Sequence, residues 1–243
     1  MSVGLAIVGY GKMGRFIAQL APEYGFEVRA TFTSSTIHTL SLTTLNGATV
    51  AVEFTSPAAA PDNLRRLAAL GVNSVCGTTG WFEHLPSVRE SIERADTALL
   101  YSTNFSIGVN LFLQIVAEAA ARFSHHPDYQ AWGWEIHHSA KKDAPSGTLL
   151  RLQQEMLAGG YTRIVPLSSS RAGSHPGTHE IGFDSPGDTI TLRHAARSRE
   201  GFARGALQAA RWLMNKRGIF EFHEILGELS NADSPQLAQK VLS

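Results

Sequence analysis

Up to Ser102 the chain alternates short, apolar runs with longer stretches in which apolar residues recur every three to four positions. Val3–Val8, Phe26–Phe32, Thr49–Phe54, Val72–Cys76 and Ala98–Ser102 have the length and composition of strands. Gly11–Leu20, Pro61–Leu70 and Ser87–Ala95 carry the helical period. In the first of these, Met13, Phe16, Ile17 and Leu20 fall on one face, and Gly71 closes the second. Strands that are apolar throughout, interleaved with helices, predict a doubly wound parallel sheet covered on both faces. Near Asn104–Asn110 the pattern changes. Leu111–Phe123 reads as a helix, Trp132–His137 and Thr189–His194 as strands, and Thr178–Phe183 as a weaker strand. Between them lie a helix at Gly147–Leu157 and a Ser/Gly/Pro/His-rich stretch, Leu167–Gly177, that reads as a loop. This predicts a second, α+β domain carrying an open mixed or antiparallel sheet. Phe202–Asn215 is again helical, and Gly218–Leu229 reads as a short tail.

Composition narrows the function classes. Of 243 residues, Lys+Arg and Asp+Glu each number 21, so the formal net charge is zero. A general nucleic-acid or anionic-membrane binder carries a basic excess, and neither partner is expected. No apolar stretch approaches the roughly 18 residues of a membrane span. The apolar start, Met1–Val8, lacks a basic leader and runs directly into Gly9, which reads as a strand rather than a signal peptide. Cys76 is the single cysteine, which excludes an internal disulfide and a Cys-rich zinc site. The expected location is cytoplasmic.

The first chemical signal is Gly9-Tyr10-Gly11-Lys12-Met13-Gly14, a G-x-G-x-x-G string between a strand and a helix. Gly9 and Gly11 allow a tight turn and close approach to a pyrophosphate, and Gly14 allows the helix to pack against the strand. The helix N-terminus adds N–H groups and a partial positive charge. The plain alternative is a glycine-rich turn. In its strand–turn–helix context the string predicts a Rossmann-like dinucleotide site. After the second strand, Thr33-Ser34-Ser35 stands where an acidic residue usually binds the adenosine ribose, and no Arg or Lys follows. These hydroxyls suit NADH or NADPH alike. Gly77-Thr78-Thr79-Gly80 and Ser102-Thr103-Asn104-Phe105 follow strands four and five, where such a sheet places its ligands. They read as nicotinamide loops or as ordinary polar turns.

The densest string is Glu135-Ile-His137-His138-Ser-Ala-Lys141-Lys142-Asp143-Ala-Pro145-Ser146-Gly147-Thr148. It sets two imidazoles and two ammonium groups before a helix start, with Ser146 as the expected N-cap. The amides of Gly147 and Thr148 offer an anion site, and His and Lys supply charge and protons, which suits a small carboxylate-bearing substrate. A lysine crowded by other cations is a general-acid candidate. A solvated basic loop is the bland alternative. The paired histidines lack companion ligands at metal spacing, so no metal is expected.

Glu-x-His-His-x-x-Lys-x-Asp-Ala-Pro-Ser-Gly-Thr resembles the signature of the 4-hydroxy-tetrahydrodipicolinate reductase (dihydrodipicolinate reductase) family. The likeness extends along most of the chain, through Val52-Glu53-Phe54-Thr-Ser-Pro57, Asn104-Phe-Ser-x-Gly108-Val-Asn110, Arg171-x-Gly173-x-x-Pro-Gly177-x-His179 and His194-x-Ala-x-Ser198-Arg199. Glu53 stands where the family usually has Asp, and Ser139 and Ala140 replace bulkier residues. The resemblance implies His137 as proton donor and acceptor and Lys141 as proton donor. His138 would bind one substrate carboxylate, with Gly147 and Thr148 holding the other. Gly9 to Gly14, Gly77 to Thr79 and Ser102 to Phe105 would hold NADH or NADPH. It further implies a small cyclic dicarboxylate substrate, the diaminopimelate/lysine pathway and a homotetramer. Residues 1–106 plus 200–243 would form the dinucleotide-binding domain, and 107–199 the substrate-binding and oligomerisation domain. Two rivals remain: a nucleotide-sensing protein without turnover, and another two-domain NAD(P)-dependent dehydrogenase of amino or hydroxy acids. Arg171 and His179 either touch substrate or order a loop.

Overall fold

The computed structural model describes residues 2–229. They divide into two units, one formed by the segment up to Ile107 together with that from Glu200, the other by Gly108–Arg199.

The first unit is a six-stranded sheet. Its strands are β1 (Val3–Val8), β2 (Phe26–Phe32), β3 (Val50–Glu53), β4 (Asn73–Cys76), β5 (Ala98–Tyr101) and β10 (Gly218–Glu221), in the order β10-β5-β4-β3-β1-β2, every pair parallel. Helices α1 (Lys12–Leu20), α3 (Ala60–Ala69), α4 (Leu85–Arg94) and α7 (Glu200–Leu213) accompany it, with a one-turn α2 (Leu42–Leu45) after β2. Leu5, Ile7, Val52, Val75 and Leu100 pack with Ile17, Ala206 and Leu213 in one core cluster. Ala6, Val8 and Ala51 lie in another. Successive residues of a strand point to opposite faces, which is why an apolar run without alternation feeds both. Phe16, expected on the buried face of α1, is exposed, while Met13, Ile17 and Leu20 pack inward. The tail read at Gly218–Leu229 instead supplies the edge strand β10, too short to carry a pattern.

The second unit is a four-stranded sheet in the order β7-β6-β8-β9. Its strands are β6 (Gln130–His137), β7 (Leu167–Arg171), β8 (Thr178–Asp184) and β9 (Thr189–Ala195), joined by helices α5 (Ile107–Ser124) and α6 (Gly147–Ala158). β6 pairs parallel with β7 and antiparallel with β8, and β8 antiparallel with β9, so the sheet is mixed. The loop expected from Leu167 therefore begins with strand β7. Its Leu-Ser-Ser-Ser-Arg sequence lies at a sheet edge, half exposed, and needs no apolar alternation. Helix α5, at 18 residues and a mean hydropathy of 1.2, is longer and more apolar than expected and has the dimensions of a membrane span. Its Phe112, Val116 and Ala120 pack with Leu149, Leu152, Met156 and Phe183 in the core of this unit, and its Arg122 pairs with Glu118.

Candidate active site

In the first unit the strand order reverses direction between β1 and β3, the place where open α/β sheets bind ligands beyond the strand C-termini. A cavity of about 380 Å³ opens there, lined by Val8–Gly11, Phe32–Ser34, Ile37 and the Thr55–Asn63 segment. The three glycines of the turn have distinct roles. Gly9 sits at φ +97°, and a Cβ there would stand 2.1 Å from the Phe54 carbonyl oxygen. At Gly14 a Cβ would stand 2.3 Å from the Gly9 carbonyl oxygen, so the start of α1 closes directly on the turn. Gly11, the N-cap of α1, has no atom within 4 Å of a Cβ position and faces the cavity. Internal packing therefore requires Gly9 and Gly14, and the bare backbone of Gly11 fits the close approach of a pyrophosphate. Tyr10 also lines the cavity, Lys12 is exposed, and Met13 packs against the core.

The hydroxyls after β2 bond mainly to one another. The Thr33 amide donates to Thr36 Oγ1 at 2.9 Å, and Thr33 Oγ1 lies 2.8 Å from Ser35 Oγ. The cavity lining contains no Lys or Arg. Arg66 is engaged by the carbonyls of Ile37, His38 and Leu40.

The two nicotinamide-loop candidates are ordered from within. Thr78 is buried, donates its hydroxyl to Glu53 Oε2 at 2.6 Å and accepts the Thr55 amide at 2.8 Å. Glu53, the wholly buried last residue of β3, also receives Thr55 Oγ1, Asn63 Nδ2 at 3.3 Å and the Cys76 thiol at 3.2 Å. Burial, reinforced by Glu53, pushes that thiol well above its usual range. A Cβ on Gly77 would overlap the Phe54 ring. Thr79 is exposed. In the other loop, Ser102 Oγ donates to the Asn104 carbonyl and accepts its amide, and Thr103 is exposed. Phe105 is core, with its ring 4.9 Å from that of Phe222, so only its backbone is offered to a ligand.

The second unit carries the cationic loop between β6 and α6. Along β6 the buried face alternates through Ala131, Gly133, Glu135 and His137. Glu135 is fully buried. Its Oε1 accepts three donors: the Ser146 amide at 2.9 Å, Ser169 Oγ at 2.9 Å and Arg171 Nη2 at 2.8 Å. Burial alone would raise the pKa of Glu135, but donation from Ser146, Arg171 and Ser169 outweighs it and holds the carboxyl at about 2. The other oxygen, Oε2, has no hydrogen-bond partner and faces two ring nitrogens, His137 Nδ1 at 3.6 Å and His179 Nε2 at 3.4 Å. Desolvation lowers the pKa of both imidazoles, that of His179 to about 4.

Ser146 caps α6 as expected, accepting the Leu149 amide at 3.2 Å, and Gly147 and Thr148 follow as the first two residues of the helix. First-turn amides have no intrahelical acceptor, and a Cβ on Gly147 would meet nothing within 4 Å, so the anion site is sterically open. His138, in the same loop, is half-buried. Lys141 Nζ donates to both Asp143 oxygens at 2.8 and 2.9 Å, so its immediate partner is a carboxylate and not another cation. The Asp143 carboxyl is held below its usual range, first by that bond. Arg171 spans Glu135 and the carbonyls of Asp143 and Ser170, and His179 contacts Ser146 and Glu135. Both order the loop.

Among the described residues, Glu135, His137 and His179 form one group in which ligand atoms lie within 4.8 Å of one another, a grouping invisible to metal-spacing rules. Serine at His179 Nε2, and the Arg171 and Lys141 charges acting on these imidazoles, oppose a dication there. The sequence assigns no role to Glu135 or Glu53, and leaves Arg171 between touching substrate and ordering a loop. A charged residue on the inward parity of an otherwise apolar strand was the available signal for the two glutamates.

A model described as "Dihydrodipicolinate reductase, N-terminus" matches residues 3–105, and one described as "Dihydrodipicolinate reductase, C-terminus" matches 108–226. The 4-hydroxy-tetrahydrodipicolinate reductase of Christiangramia forsetii is 32% identical over 239 residues, covering 93% of this chain and 99% of the relative. That of Methanosarcina acetivorans is 37% identical over 196 residues, 74% of this chain and 73% of the relative. Among solved structures, the dipicolinate-bound dihydrodipicolinate reductase of Paenisporosarcina sp. TG-14 aligns with a TM-score of 0.79 at 23% identity, over 93% of this chain and 100% of that one. An amine dehydrogenase from Mycobacterium smegmatis shares the fold alone, at a TM-score of 0.61 and 11% identity over 92% and 96% of the two chains.

Proposed function

The chain belongs to the dihydrodipicolinate reductase family, and on that premise we propose that it reduces 4-hydroxy-tetrahydrodipicolinate to tetrahydrodipicolinate, with loss of water, in the diaminopimelate/lysine pathway. The observation that carries this reading is the loop from His137 to Thr148. It joins two imidazoles, an ammonium group and an open helix N-terminus on a unit matched in its own right to the family's C-terminal part.

NADH or NADPH supplies the hydride. The cavity at the β1/β3 switch point, with Gly9, Gly11 and Gly14 forming the turn and Tyr10, Lys12 and Met13 between them, would hold it. The backbones of Gly77 to Thr79 and Ser102 to Phe105 complete that set. The first unit is accordingly the dinucleotide-binding domain and the second the substrate-binding and oligomerisation domain. His138 binds one carboxylate of the substrate, and the amides of Gly147 and Thr148 take the other. A ring that gains a hydride develops negative charge, which His137 and Lys141 stabilise and protonate. General-acid assistance of this kind is worth on the order of 10²–10⁴-fold. Lys141 must exchange Asp143 for the substrate, a trade of one carboxylate for another. Family membership also supports a homotetramer in the cytoplasm, which light scattering on the purified chain and fractionation test.

The direct assay follows loss of reduced-nicotinamide absorbance with freshly condensed substrate. Turnover with either cofactor is expected, and its absence with both, despite cofactor binding, would leave the nucleotide-sensing alternative. Lys141→Ala is expected to bind cofactor normally and to lose most turnover. Wild-type rates in that variant would remove Lys141 from the mechanism.

A further inference from the structure

Glu135 has no part in the proton transfers assigned above, yet the loop is built around it. Three donors converge on Oε1, so the carboxyl is ionised and locked in orientation. Its second oxygen is wholly buried and has no donor from hydroxyl, amide or guanidinium. A buried anionic oxygen left without a donor is costly. The groups facing it are the His137 and His179 rings, which stand edge-to-face with centroids 5.0 Å apart. His137 Nδ1 is itself buried without another partner. On the far side of the ring, Nε2 lies 2.9 Å from where a Cβ on Gly177 would stand, so it abuts bare backbone.

We propose that Glu135 is a positioning residue for the reduction: the anionic Oε2, 3.6 Å from His137 Nδ1 and beyond hydrogen-bond distance, draws the ring proton onto Nδ1 by charge, leaving His137 Nε2 as the atom that exchanges the proton. This rests on His137 being the proton-exchanging imidazole of the proposed reaction. Around His137 stand Glu135 from β6, Lys141 and Asp143 from the following loop, Arg171 from β7 and His179 from β8, with His194 of β9 acting on His179. Of these, Glu135 and Asp143 favour a proton on His137, and Lys141 and Arg171 oppose it. Glu135 therefore also stabilises the imidazolium that gives up the proton.

Glu135→Gln provides a directional test. The amide oxygen must occupy the Oε1 place, because three donors point at it. The NH₂ group then takes the Oε2 place and points a donor at His137 Nδ1, which inverts the tautomer. Nitrogen-15 spectra of histidine-labelled full-length protein are expected to show His137 as the Nδ1–H form in the wild type and the Nε2–H form in E135Q. In E135Q, kcat is expected to fall by roughly 10- to 10⁴-fold, the upper figure being that of a wrong tautomer in a serine protease triad. The limb of the kcat profile on which activity is lost as His137 deprotonates should move to lower pH, while cofactor affinity and substrate KM stay near wild type. A wild-type Nε2–H tautomer overturns the proposal, as does an E135Q protein with unchanged tautomer and kcat. If E135Q does not fold, the wild-type spectrum alone decides. Failure of the wild type to reduce the substrate would overturn the proposed function but not the tautomer result.

Discussion

Replacing Arg171 with methionine isolates the energetics of the buried carboxylate. Arg171→Met keeps an unbranched apolar stem and removes the guanidinium that donates to Glu135 Oε1 at 2.8 Å. The carboxylate stays fully buried and retains the Ser146 amide and Ser169 hydroxyl. Removing one partner of a buried pair costs roughly 3–5 kcal/mol, because the remaining charge is left uncompensated. Burial opposes ionisation of Glu135, yet its donors together, Ser146 before Arg171 and Ser169, bring the pKa from 4.5 to about 2, a net of roughly 3 kcal/mol at about 1.36 kcal/mol per pKa unit to which the guanidinium is one contributor. A carboxyl whose pKa falls on folding contributes stability that is fully present above pH 4.5 and is lost as the pH drops toward about 2. Without Arg171 the folded cluster binds protons more readily, on Glu135 and on His137. The variant should therefore lose less stability than the wild type as acid is added. Urea unfolding at several pH values should show a deficit of roughly 3–5 kcal/mol near pH 8, narrowing as the pH falls below about 6. Adding Glu135→Gln to Arg171→Met should restore part of it, since a neutral amide needs no counter-ion. A deficit below about 1 kcal/mol, or one independent of pH, would show that the guanidinium does not compensate Glu135.

Two glycines give further tests. Gly11→Ala has open space for its Cβ and is expected to leave the melting temperature unchanged while weakening NADH and NADPH binding, measured by fluorescence titration. Unchanged affinity would remove the backbone of Gly11 from the phosphate cradle. Gly177→Ala combines φ +144° with a Cβ 2.9 Å from His137 Nε2. It should cost about 1–3 kcal/mol in backbone strain and displace the imidazole, lowering kcat without affecting cofactor affinity. Full activity there would mean that Nε2 is not the working nitrogen.

The parallel sheet was legible because strands covered on both faces leave apolar runs without alternation, as at Val3–Val8 and residues 50–52. β7 and β10 were not, because each is only five or four residues long and owes its structure to a neighbour. Leu-Ser-Ser-Ser-Arg pairs along β6, and Gly-Ile-Phe-Glu along β5, through backbone bonds that carry no side-chain pattern. The cationic loop stood out because like residues cluster within one short string. Glu135 escaped notice for the opposite reason: Arg171 lies 36 residues away and His179 on another strand, so its role exists only in the folded sheet. Gly9, Gly11 and Gly14 looked equivalent in the motif, and only packing separates the two that the fold requires from the one left open to a ligand.

The two units solve one positioning problem in the same way. Each places a fully buried glutamate on a strand, Glu53 closing β3 and Glu135 two residues before the end of β6. Each glutamate then gathers donors at and beyond the strand ends: the loop residues Thr55 and Thr78 in one unit, Ser146 before α6 and Arg171 at the end of β7 in the other. Burying a carboxyl is tolerable only while those donors are docked, so a loop that drifts away leaves a buried polar group short of partners. Surface loops are ordinarily the least stable parts of a fold. Tying them to the sheet through a buried carboxyl makes their order as cooperative as that of the core, and a site that must place imidazole, amine and amide hydrogens within tenths of an ångström needs that rigidity. The polar group that is costly to bury is thus what holds the candidate ligand-binding loops in place.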